Sequence, residues 1–236
     1  LNNHRNQRCY SFAAQWLPTT KTKEGVKVAR YIGAKCKICR RESEKLFLRG
    51  SRCYTDKCAF TRRGYPPGSH GKVGRRKLTS YAIQLREKQK VKSIYGILER
   101  QFRKIFNDAT RKAGNSGENL LIALEKRLDN VVYQLGIASS RTHARQLVRH
   151  GHILVNDKKM NIPSYMVKVD QVIKLVDAQK KNPLVKKALE ERDPEKIVSW
   201  LKLNKEKITG TIVRSPKRED ILMPIQENLI VELYSK

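Results

Sequence analysis

The sequence predicts an α+β protein in three parts: a cysteine-bound N-terminal metal segment, a mainly helical domain and a small α/β module. Three observations predict it. Four cysteines fall in one short basic run, KCKICRRESEKLFLRGSRCYTDKCAF (35–60), spaced C-x2-C-x13-C-x4-C. Between residues 79 and 135 apolar side chains recur at three- and four-residue steps, the period of amphipathic helices. After 151, short apolar runs separated by polar turns take over, as strands require.

Charge bounds the function. The 236 residues hold 51 Lys and Arg against 22 Asp and Glu, a formal net charge of +29. Such self-repulsion points to a polyanionic partner, because phosphates neutralise it and release condensed counterions. Nucleic acid is the first reading and an anionic membrane surface the second. The charge is spread between ordered-looking apolar segments, unlike a polybasic membrane tail, and no uncharged apolar run approaches the ~20 residues of a spanning helix. A membrane partner is therefore not expected. Five cysteines, an odd count without a secretory signal, argue against a disulfide framework.

Two short-spaced cysteine pairs separated by a loop each present two sulfurs to one ion, so Cys36, Cys39, Cys53 and Cys58 read as metal ligands. Four cysteine corners leave no open position for water, which makes the site structural rather than catalytic. Zinc is favoured; a four-iron–four-sulfur cluster also accepts four cysteines, and free buried thiols are the remaining alternative. A thioredoxin-like pair is disfavoured, because no βαβ pattern surrounds Cys36 and Cys39. Neighbouring lysines and arginines favour thiolates. The stretch around these cysteines is too poor in apolar groups to fold on its own core, so metal binding is expected to fold it.

RRGYPPGSHGKVGRRK (62–77) is rich in Gly and Pro and reads as a loop with no fold of its own. Its basic flanks, Arg62, Arg63, Lys72, Arg75, Arg76 and Lys77, together with Tyr65, suit a segment that orders against a phosphate backbone. Thr79 is expected to cap one helix and Ser93 a second. AGNSGEN (113–119) breaks the pattern, and LLIALEKRLDNVVYQL (120–135) reads as one further helix stopped by Gly136.

ASSRTHARQLVRHGHILVNDKKM (138–160) carries the densest signal. Ser139 or Ser140 caps a short helix that Gly151 ends. Arg141, Arg145 and Arg149 step by four and line one basic stripe within ~80° of arc, opposite the core-facing Ala144, Leu147 and Val148. HILVN then alternates as a strand, and NDKK, with Lys158, turns the chain into a hairpin. Helix and turn together make a nucleic-acid-facing surface. VDQVIKLV reads as a strand. Asn182-Pro183 and Asp193-Pro194 start the short helices LVKKALEE and EKIVSWL, and ITGTIV and ENLIVELY look like late strands.

No nucleophile–base pair, phosphate-binding glycine loop or dinucleotide fingerprint occurs. His143, His150 and His152 turn to different faces with no cysteine or acid to join them, so they read as solvent- or RNA-facing. Arg127-Leu128-Asp129 matches a tripeptide of pseudouridine synthases, but Leu128 belongs to a helical core stripe and the glycine-rich strand context is missing. The chain is not expected to be an enzyme.

ARYIGAKCKICRRESEKLFLRGSRC, GKVGRRKLTSYAIQLREKQKVKSIYGILERQFRKIF and LEKRLDNVVYQLGIASSRTHARQLVRHGHILVN resemble the bacterial small-subunit (30S) ribosomal proteins number four, as does the closing REDILMPIQENLIVELYSK. The resemblance runs from Val28 to Lys236. It implies a primary binder of small-subunit ribosomal RNA at a junction of the 5′ domain, which nucleates assembly of the 30S body in the cytoplasm. It implies a helical domain, 78–119 plus a returning 208–236, with an inserted RNA-binding module at 120–207 of the type also appended to pseudouridine synthases and tyrosyl-tRNA synthetases. It further implies contact with the fifth small-subunit protein, an influence on translational fidelity, and in some bacteria binding to the protein's own messenger RNA. Carried over by position, Cys36, Cys39, Cys53 and Cys58 match the ligands of cysteine-bearing, zinc-type members. Ser139, Arg141, His143, Arg145, Arg149 and His152 match the RNA-facing helix and turn. The alternatives are an RNA-modifying enzyme carrying the same module, for which no catalytic domain is left over, and a free RNA-binding zinc protein.

Residues 28–77 then form the basic N-terminal segment, with 15 Lys and Arg against three acids. Residues 1–27 stand apart. Lys23 to Val28 can be encoded as AAG-GAG-GNN-GTN-AAR-GTG, a purine-rich ribosome-binding site before a GTG start. The leader is therefore expected to lie upstream of the true start, with an organellar transit peptide as the alternative.

Overall fold

The computed structural model describes residues 31–72, 77–190, 198–204, 207–221 and 223–235. The leader 1–27, Arg75, Arg76 and the Asp193-Pro194 cap lie outside the described residues. Two buried cores organise the rest.

The first core is helical. Helix α1 (Lys35–Glu42) carries Cys36 and Cys39, and α2 (Ala59–Arg62) follows Cys58 directly. The α3 helix (Ser80–Tyr95) starts where Thr79 Oγ1 accepts the Ala82 amide. It ends at Gly96, whose φ of 63° lets the amides of Gly96 and Ile97 turn back to Ser93 O and Lys92 O, a Schellman motif. Ser93 therefore sits inside α3 rather than capping a second helix. That second helix, α4 (Glu99–Thr110), starts beyond the glycine stop with Glu99 in its first turn, bonded to Lys88 and Lys92. Helix α5 (Ser116–Glu125) is capped by Asn115 Oδ1, which accepts from the Gly117 amide. Val91, Phe102, Leu120, Leu121 and Leu124 are sealed in this core, and Cys39 and Leu46 join it from the N-terminal segment. Ion pairs Arg86–Glu42 and Lys90–Glu44, each 3.2 Å, fasten that segment to α3.

The expected single helix over 120–135 is two. After α5 the chain extends at Arg127 and restarts as α6 (Leu128–Gln134). The cause lies nearly forty residues downstream: Leu128 and Asp129 donate backbone N–H groups to Tyr165 O and Pro163 O, and Val167 donates to Lys126 O. Those bonds occupy groups that a continuous helix would need.

The second core is α/β. Helices α6 and α7 (Arg141–Arg149) pack against a five-stranded antiparallel sheet of order β2-β1-β3-β5-β4, formed by β1 (Ile153–Val155), β2 (Lys158–Met160), β3 (Val172–Leu175), β4 (Leu201–Asn204) and β5 (Thr209–Ile212). Short helices α8 (Asp177–Lys180) and α9 (Pro183–Glu190) join β3 to β4, and Asn182 Oδ1 caps α9 at the Leu184 amide. Val198 to Trp200 are a turn rather than the end of a helix, with Trp200 buried and its carbonyl accepting from Val213. Gly210 lies where β5 crosses α6, and a Cβ there would stand 2.4 Å from Leu135 Cδ1.

The C-terminal segment returns to the first core. ENLIVELY is a helix, α10 (Glu227–Tyr234), rather than a strand. Its Tyr234 stacks on Phe106 at 4.5 Å between ring centres, and Gln84 of α3 donates to Glu232 at 2.8 Å. Glu227, Ile230, Val231 and Tyr234 share a helical face, a spacing hidden by the run of adjacent apolar residues.

Candidate nucleic-acid interface

Ser140, rather than Ser139, caps α7: its Oγ accepts the His143 amide at 3.3 Å. Ala144, Leu147 and Val148 bury one face, and Gly151, at φ 70°, turns the chain into β1. Asn156 and Asp157 make the two-residue hairpin turn with φ of 48° and 63°. Asn156 Oδ1 accepts from the Val172 amide, which pins the turn to β3.

The three arginines of α7 do not share one environment. Arg149 is exposed, as are His150 beside it and Lys158 and Lys159 across the hairpin. Arg141 and Arg145 are half-buried and bonded inward. Arg141 Nε donates to Asn130 Oδ1 at 2.8 Å, and its guanidinium lies over the rings of Tyr133 and Tyr95 at 4.6 and 5.2 Å. Arg145 donates to Asp129 Oδ2 at 3.1 Å. Asp129 also accepts from the fully buried Arg127 at 3.1 and 2.8 Å, so its carboxylate serves a structural ion cluster. Burial lowers the pKa of His143. It also lowers that of His152, aided by His150 and Lys159 nearby.

The N-terminal segment abuts the start of α7. Lys35 Nζ donates to Thr142 Oγ1 at 2.7 Å, and Gly50 packs so closely on the backbone of exposed Ser139 that a Cβ there would stand 2.8 Å from Ser139 O. Lys37, Arg41, Lys45, Arg49 and Arg52 are exposed on this segment. Phe47 and Tyr54 stack with ring centres 5.0 Å apart, both exposed; the sequence reading missed this pair, whose signal was its place among the cysteines and arginines. The Gly- and Pro-rich loop has more structure than expected. Arg40 donates to Tyr65 O at 3.0 Å and lies over the Tyr65 ring, with Lys72 Nζ 5.7 Å from the same ring. Arg62, Arg63, Lys72 and Lys77 remain exposed.

Cys39, Cys53 and Cys58 are buried and Cys36 half-buried, all as free thiols. Backbone N–H groups are directed at three of the sulfurs: Leu46 at Cys39, Arg49 at Cys53 at 3.4 Å, and Phe60 and Thr61 at Cys58. Burial raises the pKa of Cys39 and Cys53. At Cys58 burial is outweighed by the Thr61 and Phe60 bonds, and the pKa falls. Among the described residues, no three His, Cys, Asp or Glu side chains lie grouped as they would to hold a metal ion. No helix of the described residues is long and apolar enough to cross a membrane.

Two family models match the chain, and the boundary between them falls at the break between α5 and α6. Residues 30–125 match the model of the ribosomal protein S4/S9 N-terminal domain, and residues 126–173 match the S4 domain. Among curated proteins, the small ribosomal subunit protein uS4 of Citrifermentans bemidjiense is 57% identical over 209 residues, 89% of this chain and all of that protein. Protein uS4A of Clostridium botulinum is 58% identical and protein uS4 of Thermodesulfovibrio yellowstonii 54% identical, with the same coverage.

Proposed function

The chain belongs to the uS4 family of small ribosomal subunit proteins, and from that premise we propose that it is a structural component of the cytoplasmic small ribosomal subunit that binds its ribosomal RNA. The observation that carries this reading is the match along the whole length of the relatives. The surface supports it. Exposed Arg149, Lys158 and Lys159, together with Arg62, Arg63, Lys72 and Lys77, offer cations to phosphates. The apolar face and the N-cap of α7 are satisfied internally. Specificity then rests on the shape of an RNA junction, since the deep groove of A-form helices hides its base edges. Asp129, already bonded to two arginines, supports a non-enzymatic role.

In the same reading the four cysteines hold one structural ion, zinc, with a four-iron–four-sulfur cluster as the chemical alternative. The donor types suit a thiophilic ion, four sulfurs on one short segment with N–H groups directed at three of them; the four side chains are not grouped as ligands in this structure, so binding would have to draw them together. Cys36, Cys39, Cys53 and Cys58 would hold the ion, which would cross-link α1 to the chain leading into α2. Elemental analysis of native protein tests this: one zinc per chain supports it, and metal-free folded protein contradicts it. Nucleation of 30S assembly at a 5′-domain junction, contact with the fifth small-subunit protein, an effect on fidelity and binding to its own messenger RNA complete the proposal and rest on family membership alone.

Equilibrium binding tests the main proposal. Small-subunit ribosomal RNA should bind about a thousandfold more tightly than large-subunit RNA at the same salt, the lower end of the range typical of specific protein–nucleic-acid complexes. Equal affinity for both RNAs would reduce the protein to a nonspecific polycation.

A further inference from the structure

Among the described residues, buried polar groups between the two cores form a hydrogen-bonded cluster that has no part in the RNA contacts of the exposed cations. Glu125 ends α5 and is 2% exposed. Its carboxylate accepts from Tyr95 Oη of α3 at 2.6 Å and from Asn130 Nδ2 of α6 at 2.7 Å, and Gln134 of α6 donates at 3.4 Å. Asn130 Oδ1 in turn accepts from Arg141 of α7. The Arg141 guanidinium lies over Tyr95 and Tyr133, and its Nη2 approaches Met223 Sδ of the C-terminal segment at 3.9 Å. One side chain thus touches the helical core, the α/β core and the returning segment. Burial, with Glu125 next to it, pushes the Tyr95 hydroxyl well above its ordinary pKa, so it remains a donor throughout the physiological range.

We infer that Arg141 is a positioning residue for RNA binding: through Asn130, Tyr95 and Tyr133 it locks the orientation of the two cores, and it does not itself contact phosphate. The geometry separates the two roles. A phosphate contact needs a cation whose donors face outward. At Arg141 the Nε bonds Asn130, the guanidinium face covers two aromatic rings and Nη2 approaches a thioether, so these three inward contacts, rather than burial of every donor, hold the side chain in the seam. Arg149, two turns further along the same helix and about 12 Å away, is the outward-facing member of the stripe. RNA that touches both α7 with its hairpin and the N-terminal segment gains from two linked contacts only while their spacing is held; a loosened seam makes the second contact pay an ordering cost.

The inference rests on the RNA-binding reading, and the test separates the two. Full-length Arg141→Ala, Arg141→Lys, Tyr95→Phe and Arg149→Ala proteins are compared with the unchanged chain by titration with small-subunit ribosomal RNA over a salt series, and by small-angle X-ray scattering without RNA. Arg141→Ala should weaken binding about tenfold with an unchanged salt slope, and should enlarge the radius of gyration. Arg141→Lys keeps the charge but not the planar stack and the Nε bond, so it should not restore binding. Tyr95→Phe, the variant least able to prevent folding, should shift both readouts in the same direction by a smaller amount. Arg149→Ala should lower the salt slope by about one and leave the scattering unchanged. A slope lowered by one in Arg141→Ala, full rescue by Arg141→Lys, or unchanged scattering in both seam variants overturns the inference. Failure of the unchanged chain to bind the RNA overturns the functional reading instead, and the scattering still decides whether the seam sets orientation.

Discussion

Replacing Asp129 by Asn should be among the most damaging single changes in the protein, although it alters no volume. The carboxylate accepts two bonds from Arg127, at 3.1 and 2.8 Å, and one from Arg145 at 3.1 Å. Arg127 is 2% exposed, so its guanidinium cannot reach water when its counter-charge goes. Breaking such a pair from one side costs about 3–5 kcal/mol, because the surviving charge stays buried and uncompensated. Arg145 is half-buried and can turn outward, so it adds little to the loss. Urea unfolding followed by far-ultraviolet circular dichroism reads the effect: with a slope of about 2 kcal/mol per molar, the midpoint should fall by roughly 1.5–2.5 M. The stranded charge, rather than the lost hydrogen bonds, is held responsible, so Arg127→Met combined with Asp129→Asn should recover most of that loss. A single variant that loses less than about 1 kcal/mol, or a double variant no more stable than the single, refutes the reasoning.

Three further outcomes follow from the same geometry. Gly210→Ala should destabilise by about 1–3 kcal/mol, since the new Cβ meets Leu135 in a packed core; differential scanning calorimetry showing an unchanged melting temperature would mean that α6 moves aside freely. Stability should fall steadily as pH drops from about 4.5 to about 2. Burial alone would raise the pKa of Glu99, but hydrogen bonds from Lys88, Lys92 and Tyr234 bring it down to about 2. Hydrogen bonding from Arg214 likewise lowers Asp220 to about 2. Both groups therefore stabilise the fold above their unfolded values of 4.5 and 3.8, and that contribution is lost as they protonate; urea midpoints across pH 6 to 2 check this, and Glu99→Gln should flatten the decline. Lys158→Ala should lower the salt slope of RNA binding by about one while leaving the urea midpoint unchanged, because the side chain is exposed at the hairpin.

What could be read in advance was what neighbouring residues decide. The caps at Thr79, Ser140 and Asn182 each depend on a side chain and a backbone group a few positions apart, and the Gly151 stop and the turn at Asn156 and Asp157 depend on local backbone conformation. Misreadings arose where a distant segment decides. The break between α5 and α6 comes from backbone bonds to residues 163–167, invisible in LLIALEKRLDNVVYQL. ENLIVELY offers a short apolar run that fits strand or helix equally, and the groove between α3, α4 and α5 selects the helix. The α7 arginines show the limit best. A four-residue step puts Arg141, Arg145 and Arg149 on one stripe, but only the positions of Tyr95, Tyr133, Asn130 and Asp129 reveal that two of the three are claimed from within.

A structural protein of this family should be a stoichiometric part of the small ribosomal subunit. Sedimentation of a cell extract through a sucrose gradient, with quantitative mass spectrometry of each fraction, tests it most directly. One copy of the chain per small subunit, retained through a high-salt wash, is expected. Recovery only at the top of the gradient, or at a small fraction of the level of other small-subunit proteins, would contradict it.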